Sequence, residues 1–270
     1  MKRVFAAAAV LAASVGYSHA ADLAAQPYAK APVVAPAPNW TGFYVFGGGG
    51  YGLWNADSNE ISTGVTAPAG FGPGFPAGTL IVRDQRFGGS GWFGTVGAGY
   101  DWQSSRWVAG IFADGQFGDI SGSVADGNWG TEGREKLRAS YAAGARLGYL
   151  VAPNVLSYVN AGYSGSEWSG TTQTAVFVPP GAPAGFVTTT PSFHRNGWFI
   201  GGGFENSLDI FGISARGWFM KTEYRSAFYD RVTLPSTVLP NAVGGSGLTG
   251  TALTFKPWVQ TISTSLVYRF

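Results

Sequence analysis

Along several stretches of this chain the side chains change character at every second residue, and that habit restricts what it can fold into. In 92–103 one parity carries Trp92, Gly94, Val96, Ala98, Tyr100 and Trp102; the other carries Phe93, Thr95, Gly97, Gly99, Asp101 and Gln103. In 198–208 Trp198, Ile200, Gly202 and Phe204 oppose Gly201, Gly203, Glu205 and Ser207. The last stretch sets Ile262, Thr264, Leu266, Tyr268 and Phe270 against Thr261, Ser263, Ser265 and Arg269. A period of two belongs to strands, whose successive side chains point to opposite faces. In 137–151 the same reading sends Leu137, Ala139, Tyr141, Ala143, Ala145, Leu147, Tyr149 and Val151 outward. It turns Arg138, Ser140, Gly144, Arg146 and Gly148 inward.

Eight segments have strand character: 41–54, 91–103, 107–120, 137–151, 155–168, 197–208, 213–224 and 258–270. The gaps between them alternate in length. Tight ones fall at 104–106, 152–154 and 209–212; long ones, rich in Gly, Pro, Ser and Thr, fall at 55–90, 121–136, 169–196 and 225–257. Short turns at one end and long loops at the other are the layout of a transmembrane β-barrel, with both termini on the periplasmic side. The stretches 79–84 and 248–255 either lengthen strands two and eight above the membrane or form an extra hairpin, which makes ten strands.

Composition separates this reading from its competitors. Charged residues make up 12% of the chain, while 42 Gly accompany 10 Trp, 12 Tyr and 19 Phe, too many aromatics for a disordered chain. Lys2 and Arg3, the apolar run 4–15 and Ser18-His19-Ala20 read as a signal peptide over 1–20. Residues 21–39, with Pro27, Pro32, Pro36 and Pro38, read as an extended periplasmic tail, leaving 40–270 for the barrel. Without Lys2 and Arg3 the chain carries 15 basic against 15 acidic residues, which argues against a nucleic-acid partner. No later apolar run is long enough for a membrane helix, so membrane residence requires a closed barrel. Aromatics near both strand ends fit a bilayer's two interfaces: Trp54, Trp92, Trp168, Trp198 and Trp258 at the loop ends, Tyr100, Trp102, Trp107 and Tyr149 at the turn ends.

Candidate chemistry is sparse. Gly47–Gly50 lacks the Gly-Lys-Ser/Thr ending of a phosphate loop and suits small lumen-facing positions instead. Beyond the leader His194 is the single histidine, placed beside Arg195 at the outer end of strand six, with Asn196 where a serine partner is wanted. With no cysteine and no cluster of histidines or carboxylates, neither a disulfide nor a metal site is expected. Asn39-Trp40-Thr41 matches a glycosylation acceptor, but at the periplasmic end of a bacterial barrel it carries no such role. We assign no catalytic, cofactor-binding or metal-binding residues. The charges Asp101, Asp114, Arg138, Arg146, Glu205, Arg216 and Arg269 are read as inward-facing. Inside an eight-strand bore they have room for an interlocked plug; the alternative is the lining of a narrow pore. Lys221 and Glu223 then fall on the parity opposite Arg216. Exposed apolar stretches at 65–80 and 175–180 are candidates for contact with a host molecule, haem or a neighbouring protein.

Asn39-Trp40-Thr41-Gly42-Phe43-Tyr44 after a Pro-rich tail that opens Ala21-Asp22-Leu23, and the ending Leu266-Val267-Tyr268-Arg269-Phe270, carry a family resemblance. Gly-Trp-Phe at 91–93 and 197–199, and Glu205 after Gly201-Gly202-Gly203, fit the same pattern. Over 40–270 the chain resembles the small outer-membrane barrels of alphaproteobacteria, the porin-family or outer-membrane immunogenic proteins, akin in architecture to the OmpA barrel. The resemblance implies that Phe270, with Tyr268 and Leu266, is read by the barrel-assembly machinery. The expectation is an outer-membrane barrel, monomeric and without cofactor or enzymatic activity, in contact with lipid and serving a structural or surface-interaction role. A narrow porin, or a barrel whose loops bind haem or a host factor, is the alternative.

Overall fold

The computed structural model describes residues 39–65, 74–176, 187–238 and 247–270. The expected leader and all of the tail but Asn39 lie outside them. Eleven strands occupy the described residues: β1 (Gly42–Ser62), β2 (Leu80–Ser104), β3 (Trp107–Asp126), β4 (Thr131–Ala152), β5 (Val155–Trp168), β6 (Thr171–Ala175), β7 (Val187–Thr190), β8 (Phe193–Ser207), β9 (Trp218–Tyr229), β10 (Val232–Val238) and β11 (Gly247–Arg269). All pair antiparallel. Passing through β1, β2, β3, β4, β5, β8, β9 and β11, the pairing returns to β1 and closes an eight-strand barrel. The closing ladder runs from Tyr44↔Arg269 to Ser62↔Thr251 with no shift of register.

A strand crosses a bilayer in roughly 9–11 residues, yet β2 has 25 and β11 has 23. The excess builds a second tier. β6 continues β5 after Ser169 and Gly170, β7 leads into β8 across Pro191 and Ser192, and β10 continues β9 after Asp230 and Arg231. β6 pairs with β4 and β7, and β10 pairs with β7 and β11. Above the breaks the ring thus closes again, with β6, β7 and β10 in place of β5, β8 and β9. Pro191 lacks an N–H for the ladder and marks one of these breaks. The stretches at 79–84 and 248–255 lengthen β2 and β11, the first of the two options, so the hairpin that made ten strands does not form.

The wall's outer face is apolar between two aromatic rings. Val45, Val96, Ile111, Leu147, Val159, Ile200, Ile262 and Leu266 are exposed. Phe43, Trp102, Trp107, Tyr149, Phe204 and Trp218 flank them at the turn end; Tyr51, Trp92, Phe117, Tyr141, Tyr163, Trp198 and Trp258 flank them at the loop end. Neighbouring rings meet edge-on, as in Phe43–Tyr100 at 4.7 Å and Tyr51–Trp92 at 5.2 Å. From Phe43 to Tyr51 the chain advances about one tilted bilayer crossing.

Three expectations are corrected. Trp54 and Trp168 are not belt residues: both are buried, on the inward parity of Gly48, Gly50 and Gly52 and of Asn160, Ser164 and Ser166 respectively. Register shifts between Phe117 and Ile120 and between Leu137 and Ala139 reverse the parity of β4 above Ala139, so Leu137 points in and Arg138 out. The turn after β8 is longer than expected: a single 3-10 turn, Leu208–Phe211, and a loop precede β9, which starts at Trp218. Arg216 lies in that loop, exposed, and Phe219, Lys221, Glu223 and Arg225 take the inward parity instead.

Candidate functional site

The chemistry of this molecule is concentrated in its lumen. At the turn end Trp40 folds under the barrel mouth, fully buried: its N–H donates to Gln103 Oε1 at 2.9 Å, and its ring packs on Phe219 at 4.9 Å. That is the structural use of the Asn39-Trp40-Thr41 motif, in which Asn39 Oδ1 accepts from Thr41 N–H at 3.0 Å.

Above Trp40 lies a ring of four charges drawn from four strands. Arg146 (β4) donates from Nε to Asp101 Oδ1 (β2) at 2.8 Å, from Nη2 to Asp101 Oδ2, and from Nη1 to Glu205 Oε2 (β8) at 3.0 Å. Arg269 (β11) completes the ring, from Nε to Glu205 Oε1 and from Nη2 to Asp101 Oδ2, both at 2.8 Å. Its third nitrogen reaches Trp40 O at 3.1 Å. Aromatic faces wall the guanidiniums: Arg146 lies 4.4 Å over Tyr44, and Arg269 lies 4.6 Å over Trp40. Glycine makes room for the ring. A methyl at Gly110 would stand 2.0 Å from Asp101 Oδ1, and one at Gly99 would stand 2.4 Å from the Tyr44 hydroxyl.

A second network sits on the first. Arg225 (β9) grips Asp114 (β3) with two bonds of 2.9 and 2.7 Å and donates to Glu223 Oε1 at 2.7 Å. Glu223 Oε2 accepts from the Tyr158 hydroxyl at 2.8 Å and from Asn160 Nδ2 at 3.0 Å, with Lys221 Nζ at 3.7 Å. Asp101, Asp114, Glu205 and Glu223 thereby face Arg146, Lys221, Arg225 and Arg269, and the formal charges cancel. Paired and hydrogen-bonded charges are the form in which a bore this narrow tolerates them.

Higher still, above Phe112 and Phe199, four rings from four strands close the bore. Trp54, Trp168 and Phe255 meet edge-on at 5.5–5.6 Å, and Phe193 stacks on Trp168 at 5.7 Å. Trp54 Nε1 donates to Ile120 O at 3.1 Å and Trp168 Nε1 to Ser166 Oγ at 3.0 Å, so neither indole N–H is left bare in the interior.

The second tier has a different interior, lined by Thr and Ser and holding the carboxylates Glu60, Asp126 and Glu135, all buried. Glu60 Oε2 and Asp126 Oδ1 both accept from Asn128 N–H at 3.1 Å, and Asp126 Oδ1 also from Trp129 N–H at 2.9 Å. Trp129 Nε1 reaches across to Thr251 Oγ1 at 3.1 Å. The β3–β4 tip is thereby fastened over the barrel's mouth. Burial, and then the neighbouring Asp126 charge, push the Glu60 carboxyl up to about 8; burial raises Asp126 as well. Burial also pushes Glu135 up to about 7, against a lowering bond from Thr171.

Of the seven charges read as inward, Asp101, Asp114, Arg146, Glu205 and Arg269 converge in the two networks, whereas Arg138 and Arg216 face outward. Lys221, Glu223 and Arg225 were missed. Their signal was in the sequence: three charges on one parity within five residues cannot face lipid. Gly47–Gly50 pairs on both sides as ordinary strand and forms no phosphate loop. His194 is exposed, its Nε2 2.6 Å from Asn196 Oδ1 and its ring stacked at 6.1 Å on Tyr141.

An apolar girdle between aromatic rings, wrapped around a polar interior, is the build of bacterial outer-membrane barrels. The chain is an outer-membrane β-barrel. No family model and no curated protein matches it. Among solved structures it is similar to the outer membrane protein OprG from Pseudomonas aeruginosa, at 10% identity and a TM-score of 0.47, covering 87% of this chain and 99% of that one. Neisserial surface protein A is similar at 11% identity and a TM-score of 0.37, covering 85% and 98%. The outer membrane protease OmpT from Escherichia coli is similar at 11% identity and a TM-score of 0.34, covering 84% and 97%. The fold assignment rests on the strand pairings themselves.

Proposed function

We propose that this barrel is a non-conducting structural element of the cell envelope that presents its second tier at the cell surface. The observation that carries the reading is the continuity of filling: Trp40, two neutral charge networks, an aromatic layer and a fastened tip follow one another along the lumen. A solute pore needs a water-filled path, and eight strands leave room for little beyond side chains. The turn end faces the periplasm and the tier of β6, β7 and β10 faces outward. Sequence motifs at both ends support kinship with the small alphaproteobacterial barrels. Phe270, outward and exposed beside Tyr268, supports recognition of the last strand by the barrel-assembly machinery. His194, held by Asn196 and Tyr141, is given no catalytic role.

Planar-bilayer recording tests the reading. Purified protein, shown to be folded by its heat-modifiable gel mobility, is expected to insert without stable conductance steps. Reproducible unitary steps from the folded protein would overturn it in favour of a narrow porin.

A further inference from the structure

One of the three turns at the periplasmic end is unlike the other two. Ser105-Arg106 joins β2 to β3, and Pro153-Asn154 joins β4 to β5; both are tight and polar. The third runs from Leu208 to Gly217 and presents Ile210, Phe211 and Ile213 at 52%, 56% and 53% exposure, with Arg216 exposed beyond them. It is an ordered turn. Ser207 caps it, accepting from Asp209 N–H at 3.3 Å and donating to Asp209 Oδ2 at 2.8 Å, and Gly212 ends it in the left-handed region at φ 77°. Gly212 N–H and Ile213 N–H close it on Asp209 O and Leu208 O, at 2.9 and 3.3 Å.

Three large apolar side chains within four residues, held outward by a capped turn, form a patch rather than scattered exposure. The patch continues the lower aromatic ring, because the strands it joins carry the exposed Phe204 near the end of β8 and Trp218 at the start of β9. Trp218 in turn leads through Tyr268, 5.2 Å away, to Phe270 at 5.0 Å. We propose that the turn Leu208–Gly217 is a membrane-dipping foot, with Ile210, Phe211 and Ile213 seated in the headgroup–acyl boundary of the periplasmic leaflet. Arg216 pairs there with phospholipid phosphate. The occupant follows from continuity: the patch extends an aromatic ring of the kind that marks a lipid boundary, and apolar side chains with an adjacent cation suit that boundary. The foot gives the barrel an anchored side, since the Ser105-Arg106 and Pro153-Asn154 turns carry no large apolar side chain. The inference rests on the barrel's residence in a bilayer.

The chain contains no cysteine, so one introduced cysteine reports on one position. Phe211→Cys and Ile213→Cys, each nitroxide-labelled in the full-length barrel, are compared in phosphatidylethanolamine/phosphatidylglycerol vesicles with Asn154→Cys in a polar turn and Val159→Cys on the apolar belt. Collision with oxygen against collision with a water-soluble nickel chelate gives depth. The expected result is an oxygen-to-nickel ratio at 211 and 213 several-fold above that at 154 and below that at 159. A ratio at 211 and 213 equal to that at 154, with 159 still oxygen-rich, overturns the foot and leaves the barrel in its membrane. Low collision with both reagents at 211 and 213 places the turn against protein and equally overturns it. A water-like ratio at 159 would instead break the membrane reading itself.

Discussion

The two halves of the lumen solve the same problem in opposite ways. Below the aromatic layer every buried carboxylate meets a cation: Asp101 and Glu205 hold Arg146 and Arg269, and Asp114 and Glu223 hold Arg225. Above it, no cationic side chain among the described residues bonds Glu60, Asp126 or Glu135; they lean on Asn128 and Trp129 N–H groups and on the Thr171 hydroxyl. A carboxylate buried among hydroxyls and amides tends to keep its proton. The outer tier is therefore the half whose stability answers to pH.

Breaking the lower half has the largest expected effect. Arg146→Met leaves Asp101 and Glu205 short of a partner, and removing one member of a buried ion pair costs about 3–5 kcal/mol. Urea titration of the barrel in vesicles should show its midpoint fall; an unchanged midpoint means the ring is ornamental.

Raising the pH should act on the upper half. Glu60 is raised in the fold from an ordinary 4.5 to about 8, so its contribution is full below about 4.5 and is lost as pH climbs through about 8. Glu135 adds a loss in the same direction through about 7. Among the described residues the charged group facing Glu60 is Asp126 from β3; the Thr251 hydroxyl of β11 faces Glu60, and the Ser236 hydroxyl of β10 faces Asp126. Hydrogen exchange across 126–131, corrected for intrinsic rate, should accelerate between about pH 6 and pH 9 while 144–148 stays protected. Glu60→Gln should flatten the response; acceleration of both regions together would erase the distinction.

Smaller effects sharpen the picture. Gly110→Ala forces Asp101 aside and should lower stability by about 1–3 kcal/mol, again by urea midpoint. His194→Ala, on the exposed wall, should stay within about 0.5 kcal/mol.

Much of this was legible in the sequence, because the period of two survives wherever one face meets lipid. The outward and inward sets of β2, β8 and β11 stand as their alternation gave them. The errors gather where that constraint lapses. Leu137 and Arg138 lie above the upper ring, where a shift in register costs little, and alternation alone does not reveal a bulge. Trp54 and Trp168 read as belt residues because tryptophan favours interfaces, and the alternation does not correct this: Gly47–Gly50 hides the parity of β1, and that of β5 is not clean. The misplaced start of β9 came from Ile213: an apolar residue near the end of a turn looks like the first residue of a strand. The pairing of Arg146 with two acids from distant strands was not legible at all, since it depends on how the sheet closes. The second closed ring was equally hidden, as Thr-rich stretches such as 171–175 and 187–190 have no lipid-facing pattern.

The ladder between β1 and β11 has a consequence for assembly. Arg269 stands at its foot, opposite Tyr44, and the same guanidinium reaches Asp101 and Glu205. A one-residue slip as the two chain ends zip together would turn Arg269 toward the acyl chains, and a two-residue slip would carry it off its acids. Proofreading of the final stitch is thus delegated to the salt-bridge ring, and a wrongly zipped cylinder would be left with unmatched charge at its centre.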